Sequence, residues 1–135
     1  MTNNDIRAMI YAGSTAPYDY TNKQAYKRHS LRLLRELRLA LGYANNNANA
    51  SVRFNPGGIA VCGDAILHSD RIYVRISNSS FYSLGILYRA VKGTSDYTGG
   101  PNHYYSLESL KQHGVRGLAE AILTLLSNER ITKHV

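Results

Sequence analysis

Apolar residues between Thr21 and Gly42 recur at every third or fourth position, which is the spacing of one face of a helix. Thr21, followed three residues later by Gln24, has the pattern of a capping box at a helix start. Gly42 suits a helix end, since glycine adopts the left-handed conformation without a Cβ clash. We therefore expect a helix from Thr21 to Gly42, whose core-facing residues are Leu33, Leu34, Leu37, Ala40 and Leu41.

Weaker helical patterns stand at the two ends of the chain. Near the N-terminus, Asn3 or Asn4 is a candidate cap for a short helix that ends before Gly13 and whose apolar residues are Ile6, Met9 and Ile10. Towards the C-terminus, Ser106 is expected to cap a short helix that Gly114 ends. The apolar segment after Gly117 then predicts a core-packed helix that ends near residues 127–128.

Between these helices the apolar period changes from helical spacing to alternation, which indicates strands. Residues 52–63 read as a hairpin around the turn sequence Asn-Pro-Gly-Gly at 55–58, and residues 65–67 as a further short strand or as the bend that leads out of one. The clearest alternation lies at 71–77, where three aliphatic residues face one way and Arg71, Tyr73 and Arg75 face the other. Residues 84–92 are apolar on both sides, which is typical of a central strand, and residues 103–105 form a last short strand.

The order of these elements predicts an α+β protein. One layer of three to five antiparallel strands should pack against two or three helices. With 135 residues, 44% of them hydrophobic and 19% charged, the chain suits a single compact domain over 1–135. Residues 1–20 would form the short helix and a loop, and 129–135 a frayed tail.

The chain is strongly basic, with a net charge of +7 and a pI near 9.7. The segment from Thr21 to Gly42 alone carries six basic residues and one acidic residue. Such a balance favours an acidic partner, either nucleic acid or the acidic surface of a nucleoprotein. Eleven tyrosines add rings that suit wet interfaces and base stacking. Without an apolar run long enough to span a membrane, and with a single cysteine, the chain is expected to be cytoplasmic.

Two basic surfaces are candidates for binding that partner. The first is the predicted helix, where Arg28, Arg32 and Arg35 form a stripe; the alternative is a solvated back of a core helix. The second is the strand face at 71–75, where arginine would hold phosphate and Tyr73 would stack; the alternative is a Tyr73 covered by a helix or a loop. The basic and aromatic candidates are Lys23, Lys27, Arg28, Arg32, Arg35, Arg38, Arg53, Arg71, Tyr73 and Arg75.

The segment 93–102 contains three glycines and a proline and is the strongest loop signal in the chain. Glycines allow backbone amides to approach a ligand, so this loop is the candidate for a binding epitope, although a purely structural turn fits it as well. Its candidate contact residues are Asp96, Tyr97, Asn102 and the adjoining His103.

No motif in the sequence supports a catalytic, metal or cofactor site. Cys62 lies among small apolar residues, which favours a core position over a nucleophile. The five histidines lack the spacing of metal ligands. We therefore expect a non-enzymatic binding protein without a cofactor. The further alternative is an enzyme with an unrecognised site, which a deep pocket containing both His103 and Asp96 would support and which exposed, separated positions of the two residues would weaken.

The order helix, three strands, helix resembles the double-stranded-RNA-binding domain. The chain departs from that family in its tight Asn-Pro-Gly-Gly turn and in the lack of a lysine-rich start to the last helix, so no residue role is carried over. A second functional hypothesis comes from the small size, the many tyrosines and the glycine-rich loop. These are typical of phage or mobile-element proteins, such as anti-CRISPR proteins, that inhibit a host complex by docking on it.

Overall fold

The computed structural model describes residues 1–14, 19–57, 63–77 and 79–133. Its elements follow the predicted order of two helices, a set of strands and a last helix. The helices are α1 (Asn3–Ser14), α2 (Tyr20–Ala40) and α3 (Leu107–Lys133). The strands are β1 (Ala50–Asn55), β2 (Asp64–Ser69), β3 (Ile72–Ile76), β4 (Ile86–Ala90) and β5 (His103–Tyr105). The α+β prediction, with one antiparallel sheet and three helices, is confirmed.

The five strands form an open antiparallel meander in which each strand pairs with its neighbour along the chain. Val52 lies opposite Leu67, Leu67 opposite Val74, and Val74 opposite Tyr88. Since side chains alternate across a strand, this row fixes which residues point to each face of the sheet.

All of the main core lies on one face of the sheet, where the helices pack. Leu33, Leu34 and Leu37 of α2 belong to the same buried cluster as Ile72 and Val74 of β3. The predicted core faces of α2 and β3 therefore meet. We call this side of the sheet the helix face.

The opposite side, which we call the open face, carries a second and smaller buried cluster. Its members are Ile66, Tyr73, Leu87 and Val91, and none of the described helices contributes a residue to it. Apolar burial on this side therefore comes from strand and loop residues.

The predicted hairpin over residues 52–63 is wrong in its second strand. The partner of β1 is β2, with Asn55 opposite Asp64, so the connection spans residues 56–63. Within that connection, residues 58–62, including Cys62, lie outside the described part of the chain. The short strand offered as one alternative at residues 65–67 is the centre of β2; its extent and pairing were not predicted because five of its six residues are buried, on both faces, and no polar alternation marks it.

The start of α2 differs from the prediction, whereas its end agrees. Asp19 is the cap, since its carboxylate accepts a hydrogen bond of 2.8 Å from the amide of Asn22. Thr21 instead lies inside the first turn. Gly42 follows the last turn with a φ of 94°, as expected for a helix-ending glycine.

The start and the end of α1 also differ from the prediction. The hydroxyl of Thr2, rather than a side chain of Asn3 or Asn4, accepts from the amide of Asp5 at 3.1 Å. The carboxylate of Asp5 accepts in turn from the amide of Thr2 at 2.8 Å, which completes a reciprocal cap. Gly13 belongs to the helix and does not end it. A side chain is disfavoured at this position because a Cβ would come within 2.6 Å of the ring of Phe81.

The C-terminal helix contains the predicted break. Ser106 caps it by accepting from the amide of Ser109 at 3.1 Å, and Gly114 interrupts it with φ 66° and ψ −164°. The helix resumes after Gly114 and continues to Lys133, so the prediction of an end near residues 127–128 is wrong. Leu84 also departs from its predicted strand: it ends a π-helical turn at Ser80–Leu84 that leads into β4.

Candidate functional site

A cross-strand row runs over the open face from one edge of the sheet to the other. Arg53 lies opposite Ile66, Ile66 opposite Arg75, Arg75 opposite Leu87, and Leu87 opposite Tyr104. Neighbouring strands are about 4.8 Å apart, so the two arginines of the row stand about 10 Å from each other. The row thus alternates charged or aromatic side chains with buried aliphatic ones.

Arg53 and Arg75 have no acidic partner among the described residues. The guanidinium of Arg53 lies 5.9 Å from the centre of the Tyr97 ring, within the range of a cation–π contact. Arg75 is half-buried, and its Nε makes no hydrogen bond within the described part of the chain. Both cations are therefore free to meet an anion at the surface.

Arg89 adds a third positive charge to the open face but is held in place. It donates to the backbone oxygen of Tyr97 at 2.6 Å and to the side-chain oxygen of Asn102 at 3.1 Å. Its guanidinium also lies 4.6 Å from the centre of the Tyr73 ring. The partners of Arg89 are neutral, so its charge is not compensated, and its position fixes the loop over the sheet.

Tyr73 is covered, so the expectation of an exposed stacking ring at this position is wrong. Only 6% of the residue is exposed. The guanidinium of Arg89 lies over its ring, and the ring of His68 lies perpendicular to it with the two ring centres 5.3 Å apart. The alternative interpretation is right that Tyr73 is covered, but the covering side chains come from the neighbouring strands β2 and β4 and not from a helix or a loop. The exposed rings on this side are those of Tyr97 and Tyr104, at 55% and 43%.

The glycine-rich loop is built around Asp96. Its carboxylate accepts from the amides of Lys92, Thr98 and Gly99 and from the Thr98 hydroxyl, at 2.9 to 3.1 Å. These hydrogen bonds, led by that from Lys92, hold the pKa of Asp96 well below its usual range. Asp96 therefore stabilises the loop as a carboxylate, and its oxygens are already in use within the protein.

Arg71 does not lie on the open face with Tyr73 and Arg75, which corrects the predicted strand face. Its Nε donates to the hydroxyl of Tyr43 at 3.1 Å, and its guanidinium lies 5.5 Å from the centre of that ring. Because Arg71 precedes β3 at the turn from β2, its side chain is free to leave the strand direction.

The basic residues of α2 lie on the other side of the molecule from the open face. Arg28 and Arg35 are exposed, and Arg32 lies 3.5 Å from both Asp5 and Glu36. Since the opposite side of α2 packs on the helix face, one continuous surface that joins this stripe to Arg75 is excluded.

The remaining basic residues of α2 make local contacts. Lys27 lies over the ring of Phe54 at 5.4 Å, and Arg38 donates to the backbone oxygen of Ala50 at 3.3 Å. Lys23 is half-buried. Lys27 and Arg38 thus border β1.

His103 and Asp96 do not share a pocket. His103 projects from β5 on the helix face. Its ring stacks on that of Tyr88, with the two ring centres 5.4 Å apart. A cavity of about 530 Å³ is lined by Asp96 but not by His103. Neither of the two described cavities contains both residues, so this pair adds no support to the enzyme interpretation. Within the described residues, no three potential metal ligands come together.

A smaller recess of about 400 Å³ lies at the end of the open face, beside the connection of β1 and β2. Arg75 lines it together with Asn55, Asp64 and Ser77. Arg75 thus belongs to the cross-strand row and also lines a polar recess that is open to solvent.

Sequence reasoning missed Arg89 and Tyr104 as residues of this face. The strand that carries Arg89 is apolar on both sides, which hid its alternation. The strand that carries Tyr104 has only three residues, too few for a period to be recognised. Arg89 could have been placed by parity once Leu87 was assigned to the open face, whereas Tyr104 also needs the register of β5 against β4.

The fold and this face define an α+β protein with a basic, tyrosine-bearing open sheet face. Comparison with protein-family models, with curated proteins and with solved structures found no match for the chain. Across the described ranges, no helix is both long enough and apolar enough to cross a membrane.

Proposed function

We propose that the protein binds single-stranded nucleic acid across the open face of its sheet. The observation that carries the proposal is the cross-strand row, in which Arg53 and Arg75 lack acidic partners in the described structure and Tyr104 exposes its ring. Guanidinium groups hold phosphates through paired hydrogen bonds. Exposed aromatic rings stack on unpaired bases, which are splayed out in single strands.

The shape of the face supports a single strand over a duplex. Reading a duplex requires an element that enters a groove, and the open face presents strands without a protruding helix. Its rings, on Tyr97 and Tyr104, suit bases that are already unstacked. Arg89 supports the site indirectly, because it holds the loop that carries Tyr97.

The experiment is fluorescence anisotropy with labelled ten-nucleotide single strands of RNA and DNA of mixed sequence, and with a duplex of the same sequence, at several salt concentrations. We expect Arg53→Gln combined with Arg75→Gln to weaken single-strand binding about tenfold or more and to reduce the salt slope by about 1.4, at about 0.7 per phosphate contact. We expect Tyr104→Ala to weaken binding about tenfold through lost stacking.

The matched control for the double variant is Arg7→Gln combined with Arg116→Gln, which removes the same charge from exposed positions on α1 and α3. It should leave the affinity within about twofold, because exposed charges farther apart than about one Debye length are largely screened. Equal losses in the two double variants would show that net charge, rather than this face, determines binding.

The competing function, an inhibitor that docks on a host protein complex, predicts a different result. The protein would then bind neither strand, and a partner would remain on it after nuclease treatment of a bacterial lysate. That result would overturn the nucleic-acid proposal.

A further inference from the structure

The cavity that Asp96 lines lies away from the open-face row, between the glycine-rich loop and the C-terminal part of α3. Its volume of about 530 Å³ is within the range of small-molecule sites, about 300–1,000 Å³. Ala90, Val91 and Leu126 supply apolar wall, whereas Arg71 and Lys92 supply positive charge. The cavity therefore combines apolar surface with a few charged groups, as ligand pockets commonly do.

Arg71 is positioned before any ligand arrives. Its Nε donates to the hydroxyl of Tyr43, and that hydroxyl lies 2.7 Å from the carboxylate of Asp70, to which it donates. The two terminal nitrogens of Arg71 have no hydrogen-bond partner among the described residues, so they remain available to hold a carboxylate or a phosphate. A guanidinium fixed in this way loses little conformational entropy when it binds.

The loop wall of the cavity is also fixed. Asp96 accepts the amides of Lys92 and Gly99, and Gly100 donates to the backbone oxygen of Ala90 at 2.9 Å. Gly99 has a φ of 53°, and a Cβ there would lie 2.5 Å from the same oxygen. The loop is therefore pressed against the end of β4, and the amide of Gly99 is not free to bind a ligand.

We propose that this cavity binds a small molecule with an apolar body and one anionic group. The anion pairs with Arg71 and Lys92, and the apolar body lies against Val91 and Leu126. Glu129 also lines the cavity and disfavours a second negative charge. The class of ligand is thus an amphipathic monoanion, for which a medium-chain carboxylate is the simplest probe.

The test is titration of the full chain with octanoate, followed by calorimetry or by chemical shifts of the backbone amides. Acetate has the charge without the apolar body, and octanol has the apolar body without the charge. We expect octanoate to bind at least about tenfold more tightly than either, because each control lacks one of the two contributions. Equal binding of octanol and octanoate would overturn the proposal, as would the absence of octanoate binding.

Arg71→Gln should weaken octanoate binding about tenfold, through the loss of a charge-assisted pair. Because this variant also loses the contact with Tyr43, its thermal unfolding has to be measured in parallel. Lys92→Glu avoids that complication, since the side chain of Lys92 is exposed, and it should weaken binding several-fold. Octanoate affinity that is unchanged in both variants would contradict the proposed site.

This inference is independent of nucleic-acid binding. Arg53→Gln combined with Arg75→Gln should leave octanoate affinity within about twofold, since both residues lie on the open face away from the cavity lining. Arg71→Gln should likewise leave oligonucleotide affinity within about twofold. Each proposal can therefore fail without the other.

Discussion

Tyr26 connects the first half of α2 to two distant parts of the sheet. Its hydroxyl lies 3.0 Å from the backbone oxygen of Gly63 and 3.1 Å from that of Ile76. Its ring is fully buried and makes T-shaped contacts with the rings of Phe54 and Phe81, whose centres lie 6.1 and 5.6 Å from the centre of the Tyr26 ring. The two oxygens are 37 and 50 residues away along the chain, so no local pattern could predict this role.

We expect Tyr26→Phe to lower the free energy of unfolding by about 1–2 kcal/mol. The ring contacts would remain, but buried backbone oxygens would lose their donor. Urea denaturation measures the change. The control is Tyr11→Phe, where 65% of the residue is exposed and the change should stay within about 0.5 kcal/mol. A Tyr26→Phe variant as stable as the wild type would show that the hydroxyl is not required.

Helix ends show what local sequence can predict. Gly42 and Ser106 were predicted correctly because a positive φ and a side-chain cap depend on one or two neighbouring residues. The start of α2 was misplaced by two residues because Asp19 and Thr21 are both good caps and only one can be used. The strand β2 was predicted only as one of two alternatives, because its burial on both faces depends on packing that the sequence does not display.

Mutation of Asp19 and of Thr21 tests which of the two residues caps α2. Asp19→Ala should destabilise the protein by about 1 kcal/mol, because the amide of Asn22 loses its acceptor. Thr21→Ala, at the exposed position that the sequence favoured, should change stability by less than about 0.5 kcal/mol. Thermal unfolding of the two variants measures the difference. The reverse order would mean that Thr21 is the true cap.

At the scale of the whole molecule, the helices pack on one face of the sheet, and this packing separates the basic residues of α2 from those of the open face. The sequence predicted two basic surfaces and the alternation of β3, which are local properties. It did not predict that Tyr73 is covered, because Arg89 and His68 reach it from the two neighbouring strands. Nor did it place Arg71 beside Tyr43, a contact between a turn and the end of a helix.

The separation of the two basic surfaces predicts unequal effects on binding. Replacing Arg28, Arg32 and Arg35 with Gln should change the affinity for a ten-nucleotide single strand by less than about twofold at 0.15 M salt. At that salt the Debye length is about 8 Å, and a helix with its side chains is about 10 Å across. Anisotropy compares this variant with the Arg53 and Arg75 double variant, which should lose about tenfold. A larger loss in the α2 variant would place the nucleic acid on the helix side.

The meander has a consequence for how the chain folds. Each strand pairs only with its neighbour in sequence, so the sheet can grow by successive hairpins, each closing a short loop. The helix face of β4 and β5, however, stays uncovered until α3 packs on it, and α3 leaves the ribosome after all five strands. The nascent protein therefore passes through a stage in which a paired sheet exposes apolar residues such as Ile86. Docking of Leu110 and Leu118, both fully buried in the final structure, ends that stage.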